Sequence, residues 1–335
     1  MKLKITKKIA IIFLSLSIFI LFLATFLFIY LSDQLNYKPI ELSQKIITAS
    51  QNSHQDYRYN FIILGYDYRQ DQFETELNTD TIILAKYQTD NHTLKLISLP
   101  RDLWDYQSQQ KINRIYQNSL RTNLPITNTK SEFSRLTGQP IDKILVLSTQ
   151  NIIELTNLIG GVDIYLEKGF TDDQYPNQAY IDNPKSGQPI YQTISFPSGQ
   201  IHLDSSNVTQ FIRSRKSTDD LDRINRQQLL IEALIQKLKS PSFISNPQNL
   251  VNLYNYWQNS IQTDFTDQDL LNVAFRLKTN LPNLNISRHQ LTVGTEPSQG
   301  DIYHPLNFIN QQWVFIPSTP DYSSLKNTIS TFLSK

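Results

Sequence analysis

Apolar positions fall into three regimes along the chain. Ile9 to Leu31 is a run of 23 residues without a charge, long enough to cross a bilayer as a helix. Residues 32–57 are polar with no sustained apolar period and read as a stalk carrying one short helix. From Tyr59 onward, short apolar runs alternate with helical spacing. "YNFIILG" predicts a buried strand, and "TDTIILAKY" and "TLKLISL", separated by "QTDNH", predict a hairpin. "KILVLS" is another strand; "TQNIIELTNLI" has helical spacing and stops at Gly160-Gly161, before the strand "VDIYL". Residues 167–190 are polar, with Pro, Asn and Gly, and read as a surface loop before the strand "IYQTISF". One helix is expected near "LDSSNVTQFI". A second, opened by Thr218, Asp219 and Asp220, is expected to run to Lys239 and stop at Ser240-Pro241. Helices over 246–258 and 266–279, a strand "QQWVFIP" and a closing helix from Asp321 to Leu333 complete the pattern. Strands mixed with helices throughout predict one α/β domain with helices covering a sheet.

Charge orients this pattern. The opening "MKLKITKK" holds four lysines and no acid, which favours a cytoplasmic N-terminus and puts the rest outside the membrane. A cleaved signal peptide is the rival, but its apolar region is usually about 7–15 residues followed by small residues; this run is longer and ends "FIYLSDQ". The expected organisation is a cytoplasmic tail at 1–8, a transmembrane helix at 9–31, a stalk at 32–57 and an extracytoplasmic domain at 58–335. Beyond the tail, 27 basic residues face 30 acids, a balance that argues against a nucleic-acid binder. The chain has no cysteine, which excludes disulfides, thiolate metal sites and cysteine nucleophiles. Its five histidines are scattered, so a zinc site is not expected. Glycine-rich nucleotide loops and the G-x-S-x-G elbow are absent.

The stretch "RSRKSTDDLDRINRQQ", Arg213 to Gln228, holds four arginines, one lysine and three aspartates in sixteen residues. On a helix, Arg223 and Gln227 share a face, while Ile224, Ile231, Ile235 and Leu238 form a separate apolar stripe. Arg213 and Arg215 diverge on a helix but point the same way on an extended segment. The preceding helix is expected to end near Ile212, aiming both at the start of the next helix, where free N–H groups favour an anion. Arginine forks suit phosphate oxygens. Two readings stand: a phosphate or pyrophosphate site, or a solvated helix start paired through Asp219, Asp220 and Asp222. Asp67 in "LGYDYR" and Asp80 in "NTDTIIL" sit at strand mouths. Such a pair suits a divalent cation, since Mg²⁺ takes one or two carboxylates and completes its shell with water and phosphate; the alternative is two turn carboxylates. Arg101 in "ISLPRDLWDY" leaves a strand end, a common place for ligand contacts; its alternative is a salt bridge to Asp102 or Asp105.

Taken in order, these segments resemble the LytR-CpsA-Psr family. The resemblance rests on the basic start and apolar run, then "GYDYR", "TDTIIL", "KLISLPRDLW", "KIN", "NLIGGVDIYL", "SGQIHLDSSNVTQFIRSR" and "DDLDRINRQQ". It implies an α/β/α sandwich with a central mixed sheet behind one N-terminal transmembrane helix, displayed outside the cell membrane. It also implies transfer of a glycopolymer phosphate, as in teichoic acid or capsular polysaccharide attachment, from a polyprenyl-pyrophosphate carrier to a cell-wall acceptor, usually peptidoglycan. Carried over by motif, Asp67 and Asp80 hold Mg²⁺, or Mn²⁺ in its place. Arg101, Arg213, Arg215 and Arg223 clamp the pyrophosphate, and Gln227 hydrogen-bonds it. Asp220 orients the arginines or assists proton transfer, so Asp80, Arg101 and Asp220 are the expected catalytic residues. Arg69 and Arg226 are expected nearby, Arg226 serving only the surface or a neighbouring acid. Two positions depart from the family pattern: Asn78-Thr79 replace Arg-Ser, and Asp222 replaces a glycine. The alternatives are a hydrolase of the same carrier or a non-catalytic polyprenyl-phosphate binder; a pure lipid binder has no use for the pair Asp67 and Asp80. A membrane-tethered transcription regulator is disfavoured by the acidic balance.

Overall fold

The computed structural model describes residues 24–25, 27–34, 38–52, 55–67, 77–214, 220–277, 284–297 and 299–334. Most of the apolar run at 9–31 lies outside these. Among the described residues no helix is long and apolar enough to cross a membrane.

The sheet grows from the predicted hairpin. Strands β1 (Arg58–Tyr66), β2 (Thr79–Gln88) and β3 (Thr93–Ser98) form an antiparallel meander. Strand β4 (Lys143–Ser148) runs parallel to β1. Downstream come β5 (Val162–Leu166), β6 (Phe170–Pro176), β7 (Tyr191–Phe196), β8 (Gly199–Leu203), the two-residue β9 (Gln262–Thr263) and β10 (Asn285–Gln290). The six-stranded mixed sheet has the order β9-β4-β1-β2-β3-β10, with β10 parallel to β3. Because strand side chains alternate, β2 presents Ile82 and Leu84 to one core and Ile83, Ala85 and Tyr87 to another.

The helices are α1 (Pro39–Gln51), α2 (Pro125–Thr137), α3 (Thr149–Leu158), α4 (Val208–Arg213), α5 (Asp220–Leu238), α6 (Pro247–Ser260), α7 (Asp267–Leu277) and α8 (Ser323–Ser334). Phe133 and Leu136 of α2 and Ile329 and Leu333 of α8 cover the first face of the sheet. Ile231 and Ile235 of α5 and Val273 of α7 cover the second. The result is three layers, helix, sheet and helix. A further core lies outside the sheet, where the antiparallel ribbons β5–β8 and β6–β7 pack with α3, α4 and Leu230 and Leu234 of α5. Helix α5 is thus shared: adjacent stripes, each spaced i,i+4, enter different cores.

Three expectations change. Residues 167–190 are not a loop: they hold β6 and a short helix, Gln178–Asp182. Phe170, Asp172 and Tyr175 are buried there, and the inward acid hides the strand pattern. "QQWVFIP" is mostly irregular, with only Ile316–Pro317 in a strand and isolated bridges at Gln312 and Phe315. Its start is bent by a tight turn at Asn310 and Gln311, both at positive φ. Helix α2 was not expected; it begins with Pro125 and ends at Gly138, whose φ of 67° supplies a left-handed cap. In the segment read as a stalk, α1 packs against α7 and Lys45 pairs with Asp267 at 3.4 Å.

Candidate active site

Sheet register brings the predicted acids together. Tyr66, the last residue of β1, is opposite Thr79 at the start of β2 and Ser148 at the end of β4. Asp67 and Asp80, each one residue further along, therefore lie at one end of the sheet, where β1 finishes and β2 begins. The Leu99 N–H bonds the Ile82 carbonyl at 2.9 Å, carrying the chain from β3 towards the same end, and Arg101 follows in a turn. Close strand approach is needed here. A Cβ added at Gly65 would lie 2.9 Å from Thr81 Cβ.

Each carboxylate holds a guanidinium. Arg101 Nη1 donates to Asp80, and Arg213 Nη2 donates to Asp67. Arg101 Nε also lies 3.4 Å from Asp102, a buried acid that Lys111 of "KIN" bonds at 2.6 Å. The salt bridge anticipated for Arg101 thus exists with Asp102, but beside Asp80 and not in place of it. Thr149 Oγ1 donates to Asp67 at 3.2 Å. Thr149 opens α3, whose N-cap Ser148 and Asn151 form a reciprocal capping box. Thr79 Oγ1 donates to the Asn113 carbonyl at 3.2 Å, so one departure from the family pattern ties β2 to "KIN". The other, Asp222, is exposed.

The arginine stretch divides. Helix α4 ends at Arg213, one residue beyond Ile212, and Ser214 leaves it extended at φ −54°, ψ 138°. Arg215 and Arg69 lie outside the described residues. Asp220 is the first residue of α5. Arg223 is 1% exposed, and Arg226, Gln227 and Gln228 are buried with it. From Arg223 to Gln228 the helix is thus buried except at Asn225.

Arg226 is not the surface residue expected but a buried one. Its Nε donates to the Phe211 carbonyl at 2.8 Å, Nη2 donates to the Ser214 carbonyl, and the guanidinium lies 4.4 Å from the Phe170 ring centre. Ser214 in turn donates its hydroxyl to the buried Asp172 at 2.7 Å. Tyr175 stands beside Arg213 and Asp67; burial pushes its phenol up, and Arg213 and Thr209 partly offset this. Asp172, Tyr175 and Thr149 were missed because two lie in the supposed loop and the third reads as an ordinary helix-opening threonine.

The donor set suits Mg²⁺ only together with a phosphate. It offers two carboxylates with hard oxygens, and among the described residues no group of three or more His, Cys, Asp or Glu makes a complete cage.

A model of the LytR_cpsA_psr family matches residues 24–330. The cell wall biosynthesis protein LcpA of Corynebacterium glutamicum is 26% identical over 250 residues, covering 67% of this chain but 45% of LcpA. The polyisoprenyl-teichoic acid–peptidoglycan teichoic acid transferase TagU of Enterococcus faecalis is 24% identical over 244 residues, 71% of each chain. The fold is similar to the crystal structure of Bacillus subtilis TagV, with TM-score 0.58 and 19% identity over 83% of this chain and 97% of that one. It is also similar to TagT bound to LIIa-WTA, with TM-score 0.57 and 18% identity over 85% and 93% of the two chains.

Proposed function

Because the chain belongs to the LytR-CpsA-Psr family, we propose that it transfers a glycopolymer phosphate from a polyprenyl-pyrophosphate carrier to peptidoglycan, on the outer side of the cytoplasmic membrane. In this reading the run at 9–31 is its single anchor and its N-terminus is cytoplasmic. The observation that carries the chemistry is the pair of carboxylate–arginine contacts at one end of the sheet, Asp67 with Arg213 and Asp80 with Arg101; Arg223, buried on α5, is the third arginine of the reading.

Arg101, Arg213 and Arg223 against Asp67 and Asp80 leave one positive charge for an anion. A donor diphosphate brings about two negative charges, and more develops on the leaving phosphate in the transition state. Asp67 and Asp80 would hold Mg²⁺, which supplies charge neutralisation on the phosphate oxygens. The arginine forks bind the remaining oxygens, Arg215 joining them from the segment after Ser214, and Gln227 adds an amide donor. The carboxylates keep Arg101 and Arg213 oriented before substrate arrives, so little reorganisation remains at reaction. The acceptor hydroxyl forms the new P–O bond, the bond to polyprenyl phosphate breaks, and the hydroxyl proton passes to a carboxylate, for which Asp220 is the candidate.

The test is full-length protein in detergent, a synthetic polyprenyl-pyrophosphate saccharide and peptidoglycan fragments. Saccharide phosphate joined to the fragments, lost in Asp80→Ala, is the expected result. Release of saccharide phosphate into water alone would identify a hydrolase, and binding without turnover a carrier-binding protein.

A further inference from the structure

A polar groove of about 420 Å³ opens between α5 and the edge strand β10, lined by Asn225, Gln228, Glu232, Ile286, Arg288 and Gln290. Asn225, Gln228 and Glu232 follow one another at i+3 and i+4, so they form one stripe of α5 beside the stripe of Arg223 and Gln227. Gln290 is in register with Ser98, three residues ahead of Arg101. The groove therefore reaches the same end of the sheet as the candidate active site, two strands from β2 on the β10 side.

Its walls are held in place. Gln228 Nε2 donates to Ser98 Oγ at 2.7 Å and to the His289 carbonyl at 3.2 Å, joining helix to sheet. Arg288 Nε meets Glu232 at 3.1 Å, both side chains half-buried. The opposite flank is different: α3 follows β4, and its Ile152, Ile153 and Leu155 belong to the apolar core of the ribbons. The phosphate site thus stands between an apolar body and a polar groove.

We propose that this groove is the acceptor subsite, binding an N-acetylated amino-sugar strand that carries a carboxylate. Arg288 pairs with that carboxylate, exchanging it for Glu232, and Asn225 and Gln290 offer amide groups to the acetamido and hydroxyl functions. In-line displacement needs the attacking and leaving oxygens on opposite sides of phosphorus, and a polar flank is where a hydrated glycan approaches at least desolvation cost. The assignment rests on the transferase reading, and its test separates the two.

Full-length parent, Arg288→Ala and Asn225→Leu proteins in detergent are titrated with two probes. One is a disaccharide-peptide of N-acetylglucosamine and N-acetylmuramic acid; the other is farnesyl pyrophosphate. Both substitutions replace groove residues away from the core, and thermal melting checks that each variant is folded. The expected result is an affinity for the disaccharide-peptide about tenfold lower in Arg288→Ala, the loss of one charged hydrogen bond, with farnesyl pyrophosphate affinity unchanged. Unaltered disaccharide-peptide affinity in both variants, or none measurable in the parent, would overturn the subsite. Equal loss of both probes would also overturn it, placing the groove on the donor side. A parent that binds the disaccharide-peptide but no pyrophosphate would keep the subsite and sink the transferase reading.

Discussion

Arg226 and Arg223 lie three positions apart on α5, yet the fold gives them different work. Arg226 closes the end of α4 through two carbonyls and an aromatic face. Arg226→Lys loses at least one of those charged hydrogen bonds, so unfolding stability should fall by about 1.5–3 kcal/mol; an unchanged urea midpoint would contradict this role. Arg223→Lys keeps the charge and removes the fork. Its affinity for farnesyl pyrophosphate should drop roughly ten- to a hundredfold, and parent-like binding would remove Arg223 from the clamp. Asp67→Ala and Asp80→Ala should each abolish most Mg²⁺-dependent transfer while leaving thermal stability near that of the parent, because strand-mouth acids add little to the core. Asp67, Asp80, Arg101 and Arg213 could be picked out as candidates from residue type and position, and the structure pairs them two by two. The burial of Arg226 against Phe211, Ser214 and Phe170 was not legible, because its contacts come from segments outside its own helix.

At the level of elements, β1 and β2 set the spacing of the site. Gly65 faces Thr81 across the ladder, and an added methyl must push Thr81 Cβ away. Gly65→Ala should cost about 1–3 kcal/mol through overpacking and weaken pyrophosphate binding by parting Asp67 from Asp80. Removing the Thr81 hydroxyl as well should not restore either, since the clash is with Cβ itself. Retained binding in the single variant would show that this end of the sheet tolerates the shift. Strands with continuous apolar runs, β1 to β4, were readable because their period is undisguised. Strand β6 was not, because Asp172 is an inward position held by Ser214, and an acid at a buried site looks like surface until its partner, 42 residues away, is known.

Across the whole molecule, two buried acids tie the C-terminal segment to the body. Burial raises the Asp105 carboxyl, but bonds from Ser108 and Arg135 outweigh it and hold it below its ordinary value; the Tyr322 hydroxyl also donates to it, at 3.2 Å. Burial likewise raises Asp301, and Thr328 of α8 with Thr292 brings it below the ordinary value. A carboxyl whose folded pKa lies below its unfolded value, about 3.9, stabilises the fold above that pH and loses the contribution as pH falls through the folded value. The urea midpoint should therefore stay level from about pH 5 to 7 as far as these groups decide it and fall below about pH 4. Asp301→Asn should flatten that fall; an identical acid profile would dismiss the contribution. Read alone, the chain determines the α/β layering, the meander, the closing helix and the candidate residues of the site, because period, turn chemistry and charge are local properties that survive in one dimension. Only the tertiary structure decided that α5 stands between two cores, that Arg226 is internal, and that a polar groove reaches the site's end of the sheet beside β10. Those facts depend on burial and on partners far apart in sequence, and a local pattern carries neither.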